Sequence, residues 1–135
     1  MGISRGEGQS VFSRSFGLSD YVRKEEGVVI MEEKSVLLSI EAGIATITLN
    51  RPAAMNSLND NLVAELVAVL THVQSDSDVR AVVLTGSGKA FCAGGDIRFL
   101  YDSYQNGTAN YQRYFADEYH MLKSLRQYAK PVMVF

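Results

Sequence analysis

The stretch VVLTGSGKAFCAGGDI, Val82 to Ile97, decides the fold because it joins an apolar run to a glycine-rich turn and then to a new helix. The run from Arg80 to Gly86 is continuous and apolar, which predicts a strand that is covered on both faces. Asp96 is placed to cap a helix that begins beside it. The glycine pair before Asp96 destabilises regular structure, because glycine loses more backbone entropy on folding than other residues. Two consecutive residues without side chains at this turn therefore require an explanation.

This turn can supply hydrogen-bond donors. The first N–H groups of a helix have no acceptor inside the helix and carry a partial positive charge. Glycine lets a ligand approach such backbone closely, so Ala93 to Gly95 can form a donor site for an anion or an oxyanion. The spacing fits neither a Walker loop nor the dinucleotide fingerprint. The alternative is that Gly94 and Gly95 only permit a tight turn.

Upstream of this stretch, the sequence predicts a hairpin and then a helix. SVLLSI and IATITL (35–40 and 44–49) are rich in β-branched and aliphatic residues, and a short connection containing glycine joins them. Pro52 bars a central strand and keeps Arg51 out of the helical region. Asn59 is a plausible N-cap for a helix that SDSDV ends. Its apolar residues recur at helical spacing: Leu62, Val63, Leu66, Val67, Leu70 and Val73.

Downstream, a second helix is predicted from near Asp96, and a longer one from about Ala109 to Gln127. Lys130-Pro131 stops the longer helix. VMVF (132–135) then predicts the start of another buried strand. Because a buried strand without a following turn is an unusual end for a folded chain, the sequence indicates the front portion of a longer protein.

One carboxylate falls on the apolar face of the long helix. Glu118 comes three residues after Phe115 and four before Leu122, on a stripe that also holds Tyr111, Tyr114 and Leu125. A carboxylate there is costly unless it is paired or lines a polar pocket, where its pKa could rise as acid–base chemistry requires. The alternative is an edge position from which the side chain reaches water.

Two further features have a functional and a structural interpretation. Cys92 could be a nucleophile, but it lies on an apolar stretch with no histidine nearby in sequence, which favours a buried and inert thiol. The tyrosines of YDSYQNGTANYQRYF (101–115) could line a ligand channel. An aromatic stripe at helical spacing more often belongs to a core.

The composition is that of one soluble domain and excludes several function classes. The chain has 135 residues, of which 47% are hydrophobic and 21% are charged, and its formal net charge is −2. Without a basic excess, no nucleic-acid or membrane partner is expected. No apolar run reaches the ~18 residues of a membrane span. The single cysteine fits a reducing compartment, and we expect a cytoplasmic location.

Residues 1–27 show no clear periodicity and are rich in Ser, Gly and charged side chains, which predicts a poorly ordered leader. Residues 28–135 would then form the domain. Arg5 and Arg14, with few acids near them, give the leader a faint similarity to a transit peptide. A location in the mitochondrial matrix is therefore the alternative.

LNRPAAMNSLNDNLVAEL (49–66) followed by VVLTGSGKAFCAGGDI resembles the enoyl-CoA hydratase/isomerase (crotonase) superfamily, and the resemblance covers about Leu37 to Phe135. Within it, FCAGGDIR, FADEYHML and KPV resemble the 3-hydroxyisobutyryl-CoA hydrolase branch. The resemblance implies an α/β fold of repeated β-β-α units wound into a spiral, present here as its N-terminal part. It also implies a homo-oligomer for the full-length protein.

The resemblance further implies an acyl-CoA thioester as substrate, with coenzyme A as part of that substrate and no separate cofactor or metal. The N–H of Gly95 would be one of two oxyanion-hole donors, and Glu118 would face the acyl group. Backbone at Asp96 and Ile97 would also contact the substrate. The residues implied in binding CoA are Ala53, Met55, Ala93 and Lys89, the last of which could approach a phosphate.

In the family, the second oxyanion donor follows the KPV element, and the main catalytic carboxylates come later still, beyond Phe135. The resemblance therefore implies an intact enzyme that hydrolyses 3-hydroxyisobutyryl-CoA in valine breakdown, while the 135-residue chain alone is expected not to turn over. One alternative is an enoyl-CoA hydratase or isomerase. The other is a non-catalytic chain that at most binds CoA or joins a longer homologue.

Overall fold

The computed structural model of the chain describes residues 22–24, 27–29, 34–108 and 110–135. A short antiparallel hairpin comes first, formed by β1 (Val22–Lys24) and β2 (Gly27–Val29). The main sheet has the order β3 (Val36–Glu41), β4 (Ile44–Leu49), β5 (Ala81–Gly86) and β6 (Val132–Val134). The helices are α1 (Asp60–Gln74), α2 (Ile97–Gln105) and α3 (Tyr111–Arg126).

Of the predicted leader (residues 1–27), the structure describes only residues 22–24 and 27, which belong to this hairpin. The rest of the leader lies outside the described residues. The boundary expected at residue 27 falls at the first residue of β2. The division into a leader and a domain stays a prediction.

The predicted hairpin is confirmed, and the helix predicted after it connects two parallel strands. β3 and β4 pair antiparallel, while β4, β5 and β6 pair in parallel, with Leu49 opposite Gly86. Parallel strands need a crossover connection, which α1 supplies between β4 and β5. Because parallel strands end at the same edge, the loops that follow β4 and β5 begin side by side. This edge of an open α/β sheet is where ligands usually bind.

Helix α1 forms as its sequence predicts. The Asn59 side chain accepts a hydrogen bond from the Leu62 N–H at 2.9 Å, which is the expected N-cap. All six apolar residues predicted for its inner face are buried in one cluster with the side chains of β3, β4 and β5. The buried Glu65 also faces this side, where its carboxylate accepts the backbone N–H of Val36 at 2.9 Å.

Two burial predictions are wrong. In β5, Val82 and Leu84 are buried, but the residues between and beside them are partly exposed, because α1 covers only one face of the strand. β6 forms as predicted but is not buried: Met133 is 54% exposed and Val134 is 57% exposed. Among the described residues, only β5 pairs with β6, so this strand forms an edge of the sheet. None of the described helices is both long and apolar enough to cross a membrane.

Candidate active site

The loop after β4 and the loop after β5 are tied together by one buried side chain. Asn56 donates from Nδ2 to the carbonyl oxygens of Ser87 and Ala90, at 2.9 and 2.7 Å, and its Oδ1 accepts the Arg51 N–H at 2.7 Å. Its own backbone is left-handed, with φ of 56°, a conformation that asparagine tolerates better than most residues. Asn56 therefore holds together two loops that are more than 30 positions apart in the chain.

The same contact requires a glycine at the end of β5. A Cβ atom on Gly86 would lie 2.5 Å from the Phe91 carbonyl oxygen and 2.8 Å from Asn56 Nδ2. Real Cβ atoms do not approach backbone that closely, so a side chain here would push the two loops apart. Gly86 is thus explained by close packing of the loops.

The glycine pair is held by a parallel bridge between Gly95 and Leu58. The Leu58 N–H donates to the Gly94 carbonyl at 2.7 Å, and the Asp96 N–H donates to the Leu58 carbonyl at 2.9 Å. Successive peptide groups of an extended chain point to opposite sides. The N–H of Gly95 therefore points away from Leu58, and none of the described residues accepts a hydrogen bond from it.

Asp96 begins helix α2, as predicted. Its Oδ1 accepts the Phe99 N–H at 2.9 Å, and its Oδ2 lies 3.0 Å from the Arg51 guanidinium. Burial by itself raises the pKa of this carboxyl, but the hydrogen bonds from Phe99 and Arg51 outweigh it and bring the pKa below its usual value. Asp96 is therefore an ionised cap that holds the turn, and Gly94 gives the turn its left-handed φ of 99°.

Helix α3 brings two side chains to Gly95. If Gly95 carried a Cβ atom, that atom would lie 3.5 Å from the Tyr114 hydroxyl and 3.7 Å from Glu118 Oε2. Tyr114 is buried, whereas Glu118 is partly exposed. The structure therefore places the Glu118 carboxylate beside the glycine turn, at a rim position that also reaches water. Its role toward an acyl group stays a prediction.

The residues expected to bind CoA lie on the same two loops. Met55 and Ala93 are directly joined, since the Ala93 N–H donates to the Met55 carbonyl at 3.0 Å. The N–H groups of Ala93 and Asp96 are thus both occupied within the chain, which leaves other atoms of these residues for a ligand. All four residues expected to bind CoA are exposed at the surface: Ala53, Met55, Lys89 and Ala93. Ile97, expected to contact the substrate, is exposed as well.

The two other sequence features have different outcomes. Cys92 is partly buried and packs against the core, and its Sγ accepts the Gly94 N–H at 3.5 Å, which agrees with a structural thiol. The aromatic stripe is not a core stripe, because only Tyr114 among its tyrosines is buried. The other tyrosines of this stretch, Tyr101, Tyr104 and Tyr111, are exposed.

Sequence reasoning missed the polar contacts that assemble the site. Asn56, Leu58 and the Arg51 partner of Asp96 were not expected as a group. The available signal for Asn56 was its place in a turn, because asparagine is favoured in turns and tolerates a left-handed backbone. The pairing of Arg51 with Asp96 had no local signal, because the two residues are 45 positions apart.

With this geometry in place, comparison with known proteins identifies the family. The family model for enoyl-CoA hydratase/isomerase matches residues 44–135. The chain belongs to this family, and its sheet and helices form part of the crotonase fold.

Individual relatives agree with this assignment. The chain is 46% identical over 68 residues to a short-chain-enoyl-CoA hydratase from Clostridium acetobutylicum, covering 50% of the chain and 26% of the relative. It is 39% identical over 92 residues to the mitochondrial 3-hydroxyisobutyryl-CoA hydrolase of Danio rerio, covering 67% of the chain and 24% of the relative. The chain thus spans about a quarter of the length of these curated relatives.

A solved structure shows the same fold. The crystal structure of a carnitinyl-CoA dehydratase from Mycobacterium thermoresistibile superposes with a TM-score of 0.69 at 38% identity. The match covers 76% of this chain and 30% of that one.

Proposed function

We propose that the chain takes part in the hydrolysis of an acyl-CoA thioester, with 3-hydroxyisobutyryl-CoA as the substrate. The observation that carries the proposal is the exposed Gly95 amide, which donates to no described residue and lies two positions before the first residue of α2. A fixed N–H near a helix N-terminus can stabilise an oxygen that gains negative charge.

The proposed step is attack of water on the thioester carbonyl carbon. A bond forms between the water oxygen and that carbon, and the carbonyl electron pair moves to its oxygen, which the Gly95 N–H stabilises. The intermediate then collapses, the C–S bond breaks, and the CoA thiolate takes up a proton as the acid leaves. The base that removes the proton from water is assigned to no residue of this chain.

Glu118 supports a hydroxylated acyl group as the preferred substrate. Its carboxylate lies beside the Gly95 turn, where it could accept a hydrogen bond from a hydroxyl group close to the thioester carbonyl. A hydrogen bond to a charged acceptor is worth about 1.5–3 kcal/mol, which is enough to select a hydroxylated acyl chain over a plain one. Asp96 and Ile97 would border the same acyl pocket through their backbone.

The CoA portion is assigned to the exposed surface of the two loops. Ala53, Met55 and Ala93 would contact the nucleotide and the pantetheine arm. Lys89 is exposed and could pair with a phosphate. The assignment is supported by the Ala93–Met55 hydrogen bond, because it brings the two sequence motifs onto one continuous surface. Coenzyme A would enter as part of the substrate, with no resident cofactor.

The second candidate is an enoyl-CoA hydratase or isomerase. It is favoured by the 46% identity to the short-chain-enoyl-CoA hydratase over 68 residues. The identity to the hydrolase is lower, at 39%, but extends over 92 residues. An enzyme of this kind would use the same oxyanion donor but add water to a carbon–carbon double bond. A non-catalytic chain that only binds CoA is the third candidate.

Assembly and location are also part of the proposal. We expect a homo-oligomer for the intact protein and no nucleic-acid or membrane partner. The location is proposed as cytoplasmic, and the mitochondrial name of the Danio rerio relative supports the mitochondrial matrix as the alternative.

The test uses the 135-residue chain with 3-hydroxyisobutyryl-CoA and crotonyl-CoA, each carrying ¹³C at the thioester carbonyl. We expect a downfield shift of the bound carbonyl resonance, because hydrogen bonding polarises the carbonyl group. Thiol release and loss of the conjugated double bond are followed in the same samples, and neither should exceed background. A larger shift for the hydroxylated ester supports the hydrolase proposal. Saturable loss of the crotonyl double bond supports the hydratase, and binding without any carbonyl shift overturns both.

A further inference from the structure

The carbonyl oxygen of Leu58 accepts two hydrogen bonds, and the second comes from helix α3. The Asp96 N–H donates to it at 2.9 Å, and the Tyr114 hydroxyl donates to it at 2.5 Å. Leu58 and Tyr114 are 56 positions apart in the chain. A helix side chain therefore anchors the same peptide group that holds the glycine turn.

Leu58 holds the peptide groups on both sides of the Gly95 α-carbon, including the Gly94–Gly95 peptide group that carries the Gly95 N–H. Leu58 binds the residues on both sides of Gly95, through the Gly94 carbonyl and the Asp96 N–H. Movement of the Leu58 peptide would therefore turn both peptide groups that flank Gly95. The Gly95 N–H therefore keeps its direction only while Leu58 stays in place, and the Tyr114 hydroxyl restrains Leu58 through its carbonyl oxygen.

Tyr114 is itself fixed by packing. Its side chain is buried, and its ring lies 5.8 Å from the Phe99 ring of α2 and 5.1 Å from the Phe115 ring, measured between centroids. Burial and the negative charge of Glu118 raise the pKa of Tyr114 to about 12. Its hydroxyl thus remains a donor over the whole physiological pH range.

We propose that Tyr114 is a positioning residue that holds the Gly95 amide in line for the thioester oxygen, and that it acts through the Leu58 carbonyl. The proposal deepens the function proposed above and rests on it. Tyr114 does not touch the reacting atoms in this role. It couples the packing of α2 and α3 to the direction of one N–H bond.

The chain offers a matched control. The Tyr128 hydroxyl donates to the Leu70 carbonyl, also at 2.5 Å, and so makes the same kind of hydrogen bond to a different part of the fold. Tyr114→Phe and Tyr128→Phe each delete one hydroxyl and keep the ring. Both should lower stability, but only Tyr114→Phe should change the glycine turn. The comparison therefore separates positioning from a general loss of stability.

The experiment measures amide hydrogen exchange in the free chain and the ¹³C carbonyl shift of bound 3-hydroxyisobutyryl-CoA. In Tyr114→Phe we expect the Asp96 amide to exchange about fivefold faster, the effect of one lost hydrogen bond on local opening. The carbonyl shift should shrink while the affinity for free CoA stays within about twofold, since the loops that would hold CoA are unchanged. Tyr128→Phe should alter neither quantity.

The outcomes separate this inference from the proposed function. Unchanged Asp96 exchange in a folded Tyr114→Phe chain overturns the positioning role, whatever the ligand does. Equal changes in Tyr114→Phe and Tyr128→Phe overturn it as well, because they indicate stability alone. If the wild-type chain gives no carbonyl shift, the oxyanion function fails, and faster Asp96 exchange in Tyr114→Phe would then support a positioning role confined to the turn.

Discussion

Arg51 and Asp96 join the two loops of the site through a charge-assisted hydrogen bond of 3.0 Å between Nη2 and Oδ2. The side chains are 22% and 11% exposed, so water screens the pair only in part. Arg51 also donates from Nη1 to the Ser57 carbonyl at 2.5 Å. The guanidinium therefore connects the loop after β4 to the cap of α2.

The first prediction concerns this cap. Asp96→Ala removes both the helix cap and the Arg51 partner, and we expect a loss of about 2 kcal/mol in the free energy of unfolding. Asp96→Asn keeps a capping oxygen and should lose less. Urea unfolding at neutral pH measures both variants. Equal losses in the two variants would contradict a role for the capping oxygen.

Because the pKa of Asp96 is lowered in the folded chain, the stability that its carboxylate contributes depends on pH. A carboxyl whose pKa is lower in the folded chain contributes stability above its unfolded pKa and loses that contribution as the pH falls through its folded pKa. The difference in stability between the wild-type chain and Asp96→Asn should therefore shrink below about pH 4. A difference that stays constant down to strongly acidic pH would contradict the assigned ionisation.

The second prediction separates the Gly95 N–H from the absence of a side chain. Gly95→Ala keeps the N–H, and its Cβ would meet Tyr114 and Glu118 at ordinary contact distances of 3.5 and 3.7 Å. Gly95→Pro removes the N–H. We expect the alanine chain to shift the bound thioester carbonyl as the wild type does and the proline chain not to shift it. In the intact enzyme, the proline change should reduce turnover by about 10²-fold or more.

The control for this comparison is the fold of the proline chain, read from circular dichroism and from the amide spectrum of the C-terminal half of α1. CoA affinity should fall much less than the carbonyl shift. A folded Gly95→Pro chain that still polarises the thioester would show that another group is the donor.

The third prediction tests Glu118 as a selector of the acyl group. Glu118→Gln should weaken binding of 3-hydroxyisobutyryl-CoA by about tenfold and leave isobutyryl-CoA nearly unchanged, because the lost interaction is a hydrogen bond to a charged acceptor. Asp117→Asn is the control, since Asp117 pairs with Arg113 at 3.5 Å on the same helix. Equal weakening of both esters would place Glu118 outside the acyl pocket.

The elements that local patterns define were predictable from the sequence. The six apolar residues of α1 and its Asn59 cap predict the helix, because helical periodicity and capping are local properties. The position of Asp96 at the start of α2 has the same origin. The glycine turn was identified because its chemistry lies within a few consecutive residues.

Contacts between distant segments were not predictable in this way. The hydrogen bonds from Asn56 to Ser87 and Ala90, and from Tyr114 to Leu58, depend on which loops the sheet brings together. The burial of β6 was overestimated because an apolar run predicts only that a strand can be buried. Whether it is buried depends on the elements that pack over it.

The fourth prediction concerns the buried Glu65. Burial raises the pKa of its carboxyl, and the hydrogen bond from the Val36 N–H, among other interactions, acts in the opposite direction. A carboxyl with a raised folded pKa lowers stability as the pH rises through that value. Glu65→Gln keeps an oxygen for the Val36 N–H, so its stability relative to wild type should be higher at pH 7 than at acidic pH. The opposite order in urea midpoints would contradict the raised pKa.

The last prediction concerns the exposed edge at β6. Met133 and Val134 are more than half exposed on a strand that pairs only with β5 among the described elements. Unpaired backbone groups and apolar side chains at a sheet edge favour pairing with other chains, and an edge lysine is a common protection against it. We expect the 135-residue chain to self-associate at micromolar concentration and Met133→Lys to reduce this without lowering its thermal stability. Ile97→Lys is the control, because Ile97 is 77% exposed on α2 rather than at the sheet edge. Sedimentation velocity measures all three chains, and equal suppression of association by both lysines would show that general charge, and not the β6 edge, controls it.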